Sequence, residues 1–144
     1  MSKSITSANA IWTMTIETIA PVPFQLENWS VDGAWEGESL EQVITRMSMD
    51  GKLNAGFVWR APTTTLTFQP GSASIPVFQS LQLGQSSGTT VYRLGGTLFL
   101  PGVQKRFTFE QGVMTTASFM PNGGETLAEQ AFTFQWERVY PVAI

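Results

Sequence analysis

The stretch "RMSMDGKLNAGFVWR" occupies residues 46–60. Asp50-Gly51 at its centre predicts a hairpin, because glycine accepts the positive φ that a primed two-residue turn demands. Both flanks alternate with a period of two. Val43, Met47 and Met49 share one face before the turn, and Leu53, Ala55, Phe57 and Trp59 share one after it. The stripe Met47, Met49, Leu53, Phe57, Trp59 is therefore expected to form the inward face of a sheet. The opposite face, Ser48, Asn54, Gly56 and Val58, is small and nearly uncharged. Nothing in the stretch suggests bond-making chemistry.

The same period recurs on either side. In "IWTMTIE" (11–17) Trp12, Met14 and Ile16 alternate with polar residues. "FQL" (24–26) follows Pro21 and Pro23, which deny ladder donors and suit a sheet edge. "TTTLTFQ" (63–69) turns Leu66 and Phe68 one way and Thr65, Thr67 and Gln69 the other. "VYRLGGTLFLPG" (91–102), "KRFTFEQGVMTTASFM" (105–120) and "AFTFQWERVY" (131–140) extend the pattern, with Phe132, Phe134 and Trp136 inward. Gln111-Gly112 is either a tight turn or a bulge. One segment breaks the period. "SASIPVFQSLQLGQ" (72–85) has Ser74 as a cap, Pro76 in a first turn and Gly84 as a stop. It predicts a helix of two to three turns. The expected fold is all-β: a two-sheet antiparallel β-sandwich or barrel of about eight strands with one short flanking helix. A chain of 144 residues, with no repeat and no linker, is expected to form a single domain over 1–144.

Residues 28–41, "NWSVDGAWEGESLE", hold two tryptophans among acids and glycines. They are expected to form a long projecting loop, a type often functional. Trp29 and Trp35 are costly to leave in water. They either close the loop over its own domain or anchor it in a partner subunit. Charge is unevenly divided. Residues 1–45 carry six acids and one base, a net −5, while 46–144 carry five acids and seven bases, a net +2. Lys105 and Arg106 are expected either to form a solvated strand end or to meet the acidic loop, with Asp32, Glu36, Glu38 and Glu41, of a neighbouring copy; the second, head-to-tail arrangement generates rings or filaments.

Composition excludes several classes of chemistry. The chain has neither cysteine nor histidine, which removes disulfides, thiolate metal sites, the commonest metal ligand and the commonest general base. No catalytic, cofactor-binding or metal-binding residue is expected. Glu36 and Glu38 form a carboxylate pair, but they sit in a glycine-rich acidic loop rather than on the rigid frame that separates catalytic pKa values. Few clustered cations argue against tight nucleic-acid binding. No apolar run approaches a membrane span, and "MSKSITSANA" lacks a signal-peptide core, so a cytoplasmic origin is expected. Charged residues make up only 13% of the chain, which lowers self-repulsion and favours association.

The order of parts, with "MSMDGKLNAGF", "PGSASIPVFQSL", "YRLGGTLFLP", "KRFTFEQGVM" and "FTFQWERV" in succession, resembles the tail-tube-like structural proteins of contractile-tailed bacteriophages. The resemblance covers nearly the whole chain. It implies two packed antiparallel sheets with a flanking helix. It also implies a ring of six copies whose sheets join an inner barrel around the tail channel. Residues 28–41 would be the arm reaching a neighbouring subunit, with Trp29, Asp32, Trp35, Glu36, Glu38, Glu41, Lys105 and Arg106 at the contact. Thr65, Thr67 and Gln69 would face the channel, through which DNA slides unbound. The implied partners are tube, sheath and baseplate hub or wedge proteins, with no membrane and no cofactor. The implied place is the virion tail, assembled in the host bacterial cytoplasm. The rival expectation is a carbohydrate-binding β-sandwich, which requires exposed coplanar aromatics around a polar groove.

Overall fold

A computed structural model describes residues 10–29 and 34–143. Among them the first strands are β1 (Ile11–Ile16), β2 (Ala20–Gln25), β3 (Trp35–Gly37), β4 (Val43–Met47), β5 (Leu53–Phe57) and β6 (Thr63–Phe68). Helix α1 (Ile75–Gly88) follows, then β7 (Leu94–Leu100), β8 (Lys105–Ala117), β9 (Gln130–Gln135) and β10 (Arg138–Ala143). Every pairing is antiparallel. The expected all-β, two-sheet antiparallel architecture is thus present, with ten strands rather than about eight.

The two sheets share one strand. The path β2-β1-β7-β8 continues as β8-β9-β6-β3, with β10 also laid on β8. Residues 105–112 of β8 lie between β7 and β10, whereas residues 113–117 pair with β9. The strand changes sheets at Gln111-Gly112, where Gln111 takes a left-handed φ of 49°. Gly112 is required there by space: a Cβ on it would lie 2.2 Å from Cε3 of Trp136. The Gln111-Gly112 pair is therefore an irregularity inside one long strand, not a turn. Opposite it, Trp136 and Glu137 separate β9 from β10, and Glu137 N donates to Glu110 O at 3.1 Å.

The core follows the period-two residues. Trp12, Met14 and Ile16 of β1, Leu66 and Phe68 of β6, and Phe132 and Phe134 of β9 are buried. α1 covers them with Ile75, Phe78 and Leu81, spaced to share one face. The Phe78 ring lies 5.8, 5.2 and 5.3 Å from those of Phe68, Phe132 and Phe134. Pro76 occupies the first turn as expected, since its missing N–H is unneeded there. Ser74 makes no side-chain cap; its hydroxyl instead accepts from Glu27 N at 3.0 Å. The helix also runs past Gly84. A Cβ at that position would come within 3.1 Å of the Tyr92 ring, so the glycine admits Tyr92 rather than ending the helix. The end falls at Thr89, in the left-handed conformation.

The opening hairpin requires a correction. β4 and β5 form a separate two-stranded sheet, and every residue in both is exposed. The turn lies where expected but is not the primed two-residue type: Gly51 N donates to Ser48 O at 3.0 Å, so Met49 and Asp50 are its central residues, and only Gly51, which follows them, takes a left-handed φ, of 84°. The stripe is not inward: Met47, Leu53 and Phe57 are 62%, 63% and 60% exposed, and Trp59 is 82% exposed. Alternation correctly sorted the two faces. It carried no information on whether this chain covers the apolar one.

Candidate functional site

The described surface carries four features suited to assembly. The first is the hairpin. Its apolar face pairs Val43 with Phe57, Thr45 with Ala55 and Met47 with Leu53. Its other face pairs Ile44 with Gly56 and Arg46 with Asn54. A lone two-stranded ribbon is marginal in water. Its turn is tied locally, by the Ser48 hydroxyl to the Asp50 carboxylate and by Ser48 N to Lys52 O at 2.9 Å. Its base is held by Val58 N donating to Gln42 O at 2.9 Å and by an exposed ion pair, Arg60 to Glu41, at 3.4 Å. An exposed pair of this kind stabilises little.

The second feature is a threonine face. Thr65 and Thr67 of β6 point away from the core, and Gln69 follows them. Across the sheet Glu36, Thr65, Thr133 and Thr116 stand in one row. The hydroxyls of Thr65 and Thr133 lie 3.4 Å apart. Gln69 Nε2 donates to Glu129 Oε1 at 3.3 Å. On the other sheet a second row runs Gln25, Thr13, Thr97, Thr108, Tyr140. That sheet's outer surface also carries Arg106, Glu110 and Arg138, so it is the more charged of the two. Among the described residues each flank of the β8-β9-β6-β3 sheet is open: β3 pairs only with β6, and residues 113–117 of β8 pair only with β9.

The third feature is the acidic segment. It is not a free loop throughout. Trp35–Gly37 add to β6 as β3, and Trp29 bridges to Phe68. The Trp29 ring stacks on Phe68 at 4.6 Å, and Trp35 meets Trp29 edge-on at 5.3 Å and Trp12 at 6.0 Å. Both rings are half-buried and pack against their own core. Glu36, Glu38 and Glu41 are exposed. Asp32 lies outside the described residues. Lys105 and Arg106 begin β8 and are exposed, with the Arg106 guanidinium 5.5 Å from the Phe99 ring centroid. Among the described residues no ion pair or hydrogen bond joins them to Glu36, Glu38 or Glu41, and Glu41 pairs with Arg60 instead.

The fourth feature escaped the sequence reading. The connection from β8 to β9, residues 118–129, exposes Phe119, Met120 and Leu127. It is closed on itself by Ala128 N donating to Asn122 O at 2.9 Å. The expected strand over 105–120 ends at Ala117, so Phe119 and Met120 belong to the loop that Pro121 and the glycines mark rather than to the alternating face.

Solved structures share this fold. A baseplate component of the anti-feeding prophage matches with a TM-score of 0.61 and 13% identity, covering 99% of this chain and 98% of the other. The anti-feeding prophage cap that terminates its tube matches with a TM-score of 0.64 and 17% identity, over 100% and 94% of the two chains. The sheath/tube terminator of an extracellular contractile injection system matches with a TM-score of 0.65 and 15% identity, over 99% of each. No curated protein sequence matches the chain. The class of protein the fold defines is thus the tail-tube-like fold of contractile systems, as the sequence resemblance implied. The chain belongs to the family described as tail fiber protein gp32, whose model matches residues 3–140.

Proposed function

We propose that this protein is a non-enzymatic structural subunit of a contractile phage tail. It assembles around the tail channel, in the tube or as a collar joining tube to baseplate. The observation that carries the proposal is the hairpin: a two-stranded sheet whose apolar face the described residues leave open. Such a ribbon is stable only when another surface covers it. The family's description as a tail protein and the fold shared with tube, cap and baseplate components support the same reading.

In this proposal the open flanks of the β8-β9-β6-β3 sheet meet those of neighbouring copies and close a ring of six. Thr65, Thr67 and Gln69 then face the channel. Apart from Glu36 the strands of that face are uncharged, so DNA passes without a cluster of cations to grip its phosphates. Glu36, Glu38 and Glu41, held in place by Trp29 and Trp35, approach Lys105 and Arg106 of the next copy, and Asp32 belongs to the same acidic contact. Sheath and baseplate proteins pack outside, and assembly takes place in the host cytoplasm. The carbohydrate reading finds less support. The exposed aromatics Phe57 and Trp59 stand edge to face at 87°, not as a coplanar platform. Electron microscopy of the purified protein at high concentration tests the proposal. Rings or tubes are expected; a stable monomer that binds glycans overturns it.

A further inference from the structure

Among the described strands, proline occurs at Pro21 and Pro23 in β2 and at Pro141 in β10. Both are edge strands of one sheet, β2-β1-β7-β8-β10. Among the described residues β2 pairs only with β1, and β10 only with β8. Leu26 N donates to Trp12 O at 2.8 Å, and Phe24 faces Met14 two residues back. Amide direction alternates along a strand, so Phe24 and Leu26 turn their nitrogens to β1 while Pro23 and Gln25 turn theirs outward. The register then jumps from Met14 and Phe24 to Ile16 and Ala20, which leaves Pro21, Val22 and Pro23 opposite Thr15 alone. Such a bulge bends the edge and interrupts its row of donors. Pro141 keeps register with Phe107 between Tyr140 and Val142, so its nitrogen points away from β8. The flanks of the other sheet differ. Trp35–Gly37 and residues 113–117 contain no proline, and neither strand of the hairpin does.

Every edge strand tolerates proline, but tolerance alone gives no reason for proline on both edges of one sheet and on neither flank of the other. We infer that Pro21, Pro23 and Pro141 bar the β2-β1-β7-β8-β10 sheet from strand addition by a second copy. Main-chain pairing is thereby steered away from this sheet and towards the bare flanks of β3 and residues 113–117. The barrier matters because little else opposes such pairing. Charged residues are only 13% of the chain, and β2 carries none of the lysine or other charge that commonly protects an edge. The barrier's purpose rests on the proposed assembly; its geometry does not. A partner that meets this sheet must then read its face, the row Gln25, Thr13, Thr97, Thr108 and Tyr140, through side chains rather than main chain.

Pro21→Thr/Pro23→Thr restores two N–H groups to β2, and Pro141→Thr restores one to β10. Each protein is compared with the unmodified one at a concentration that keeps the latter monomeric. Sedimentation velocity is expected to show dimers and larger species of Pro21→Thr/Pro23→Thr. Amide hydrogen exchange read by mass spectrometry is expected to show residues 20–25 newly protected in those species. Val22 is exposed, and adding Val22→Lys places a charge on the edge that returns the protein to monomer. Pro141→Thr is expected to give the same association with protection over residues 138–143. Folded variants that stay monomeric overturn the inference, as do larger species without new protection at the altered edge. Loss of folding in both variants overturns it too, since the prolines would then serve the fold itself. None of these results bears on the tail role, which stands or falls on whether the unmodified protein forms rings or tubes at high concentration.

Discussion

Trp136 and Gly112 occupy one another's space: the indole ring fills the position that any side chain at residue 112 would need, with 2.2 Å between a Cβ there and Cε3 of Trp136. Trp136 is itself fixed, because its Nε1 donates to the Thr64 hydroxyl at 2.9 Å and its main-chain N donates to Pro62 O at 2.8 Å. The ring cannot swing away without breaking the seam between the sheets. Gly112→Ala is therefore expected to destabilise the fold by about 3 kcal/mol, the upper end for overpacking. Urea unfolding followed by tryptophan fluorescence measures it. A midpoint equal to that of the unmodified protein would show that the seam relaxes freely.

Thr64 is buried, and its hydroxyl supplies the acceptor for the Trp136 indole. Thr64→Val keeps the shape and removes the acceptor, leaving a buried N–H unpaired. The expected loss is about 1–3 kcal/mol. Thr64→Ser keeps the acceptor and isolates the lost methyl group. Chemical unfolding of Thr64→Val reads the hydrogen-bond effect, and Thr64→Ser, which keeps the bond, is expected to lose less.

The hairpin separates folding from assembly. Leu53→Ser and Phe57→Ser change exposed positions, so each is expected to alter monomer stability by no more than about 0.5 kcal/mol. Both are expected to weaken assembly, as read by sedimentation velocity. A large drop in unfolding midpoint would mean that the hairpin packs on its own chain in solution.

Trp35→Ala acts differently. The ring meets Trp12 and Trp29 in one aromatic cluster. Its removal is expected to cost about 2 kcal/mol of folding stability, less than a fully buried tryptophan because it is half-exposed. Thermal unfolding of dilute, unassembled protein is the measurement. An unchanged midpoint with impaired assembly would assign the ring to a neighbour instead.

Lys105→Glu/Arg106→Glu reverses the charge that faces the acidic segment in the proposed ring. It is expected to weaken ring formation, more at low salt than at high salt, since exposed charges are screened. Adding Glu36→Lys/Glu38→Lys restores it. Mass photometry over a salt series distinguishes this from a general loss of solubility.

Much of the fold was legible because a strand's period is a local property. Trp12-Met14-Ile16, Leu66-Phe68 and Phe132-Phe134 all point inward as their alternation requires. Asp50-Gly51 marked its turn for the same reason. What was not legible depends on groups distant in sequence. Gly84 signals a stop in the sequence because only the fold brings the Tyr92 ring against it. Ser74 looks like a cap in the sequence because Glu27 N, its actual partner, lies 47 positions away. The apolar hairpin stripe was assigned to the core because alternation says which side is apolar, not what covers it. Exposure of Phe119, Met120 and Leu127 was invisible for the converse reason: an apolar residue in a loop looks the same whether or not the chain folds back over it.

β8 is hydrogen-bonded to β7 and β10 along its first part and to β9 along its last. In a sandwich whose sheets touch only through side chains, a shear load is resisted by apolar contacts that can slip past one another. Here the same load runs down a continuous peptide chain, and slippage requires rupturing a ladder on one side of Gly112. Shear between the two layers is therefore opposed by the β8 backbone and its ladders as well as by side-chain packing.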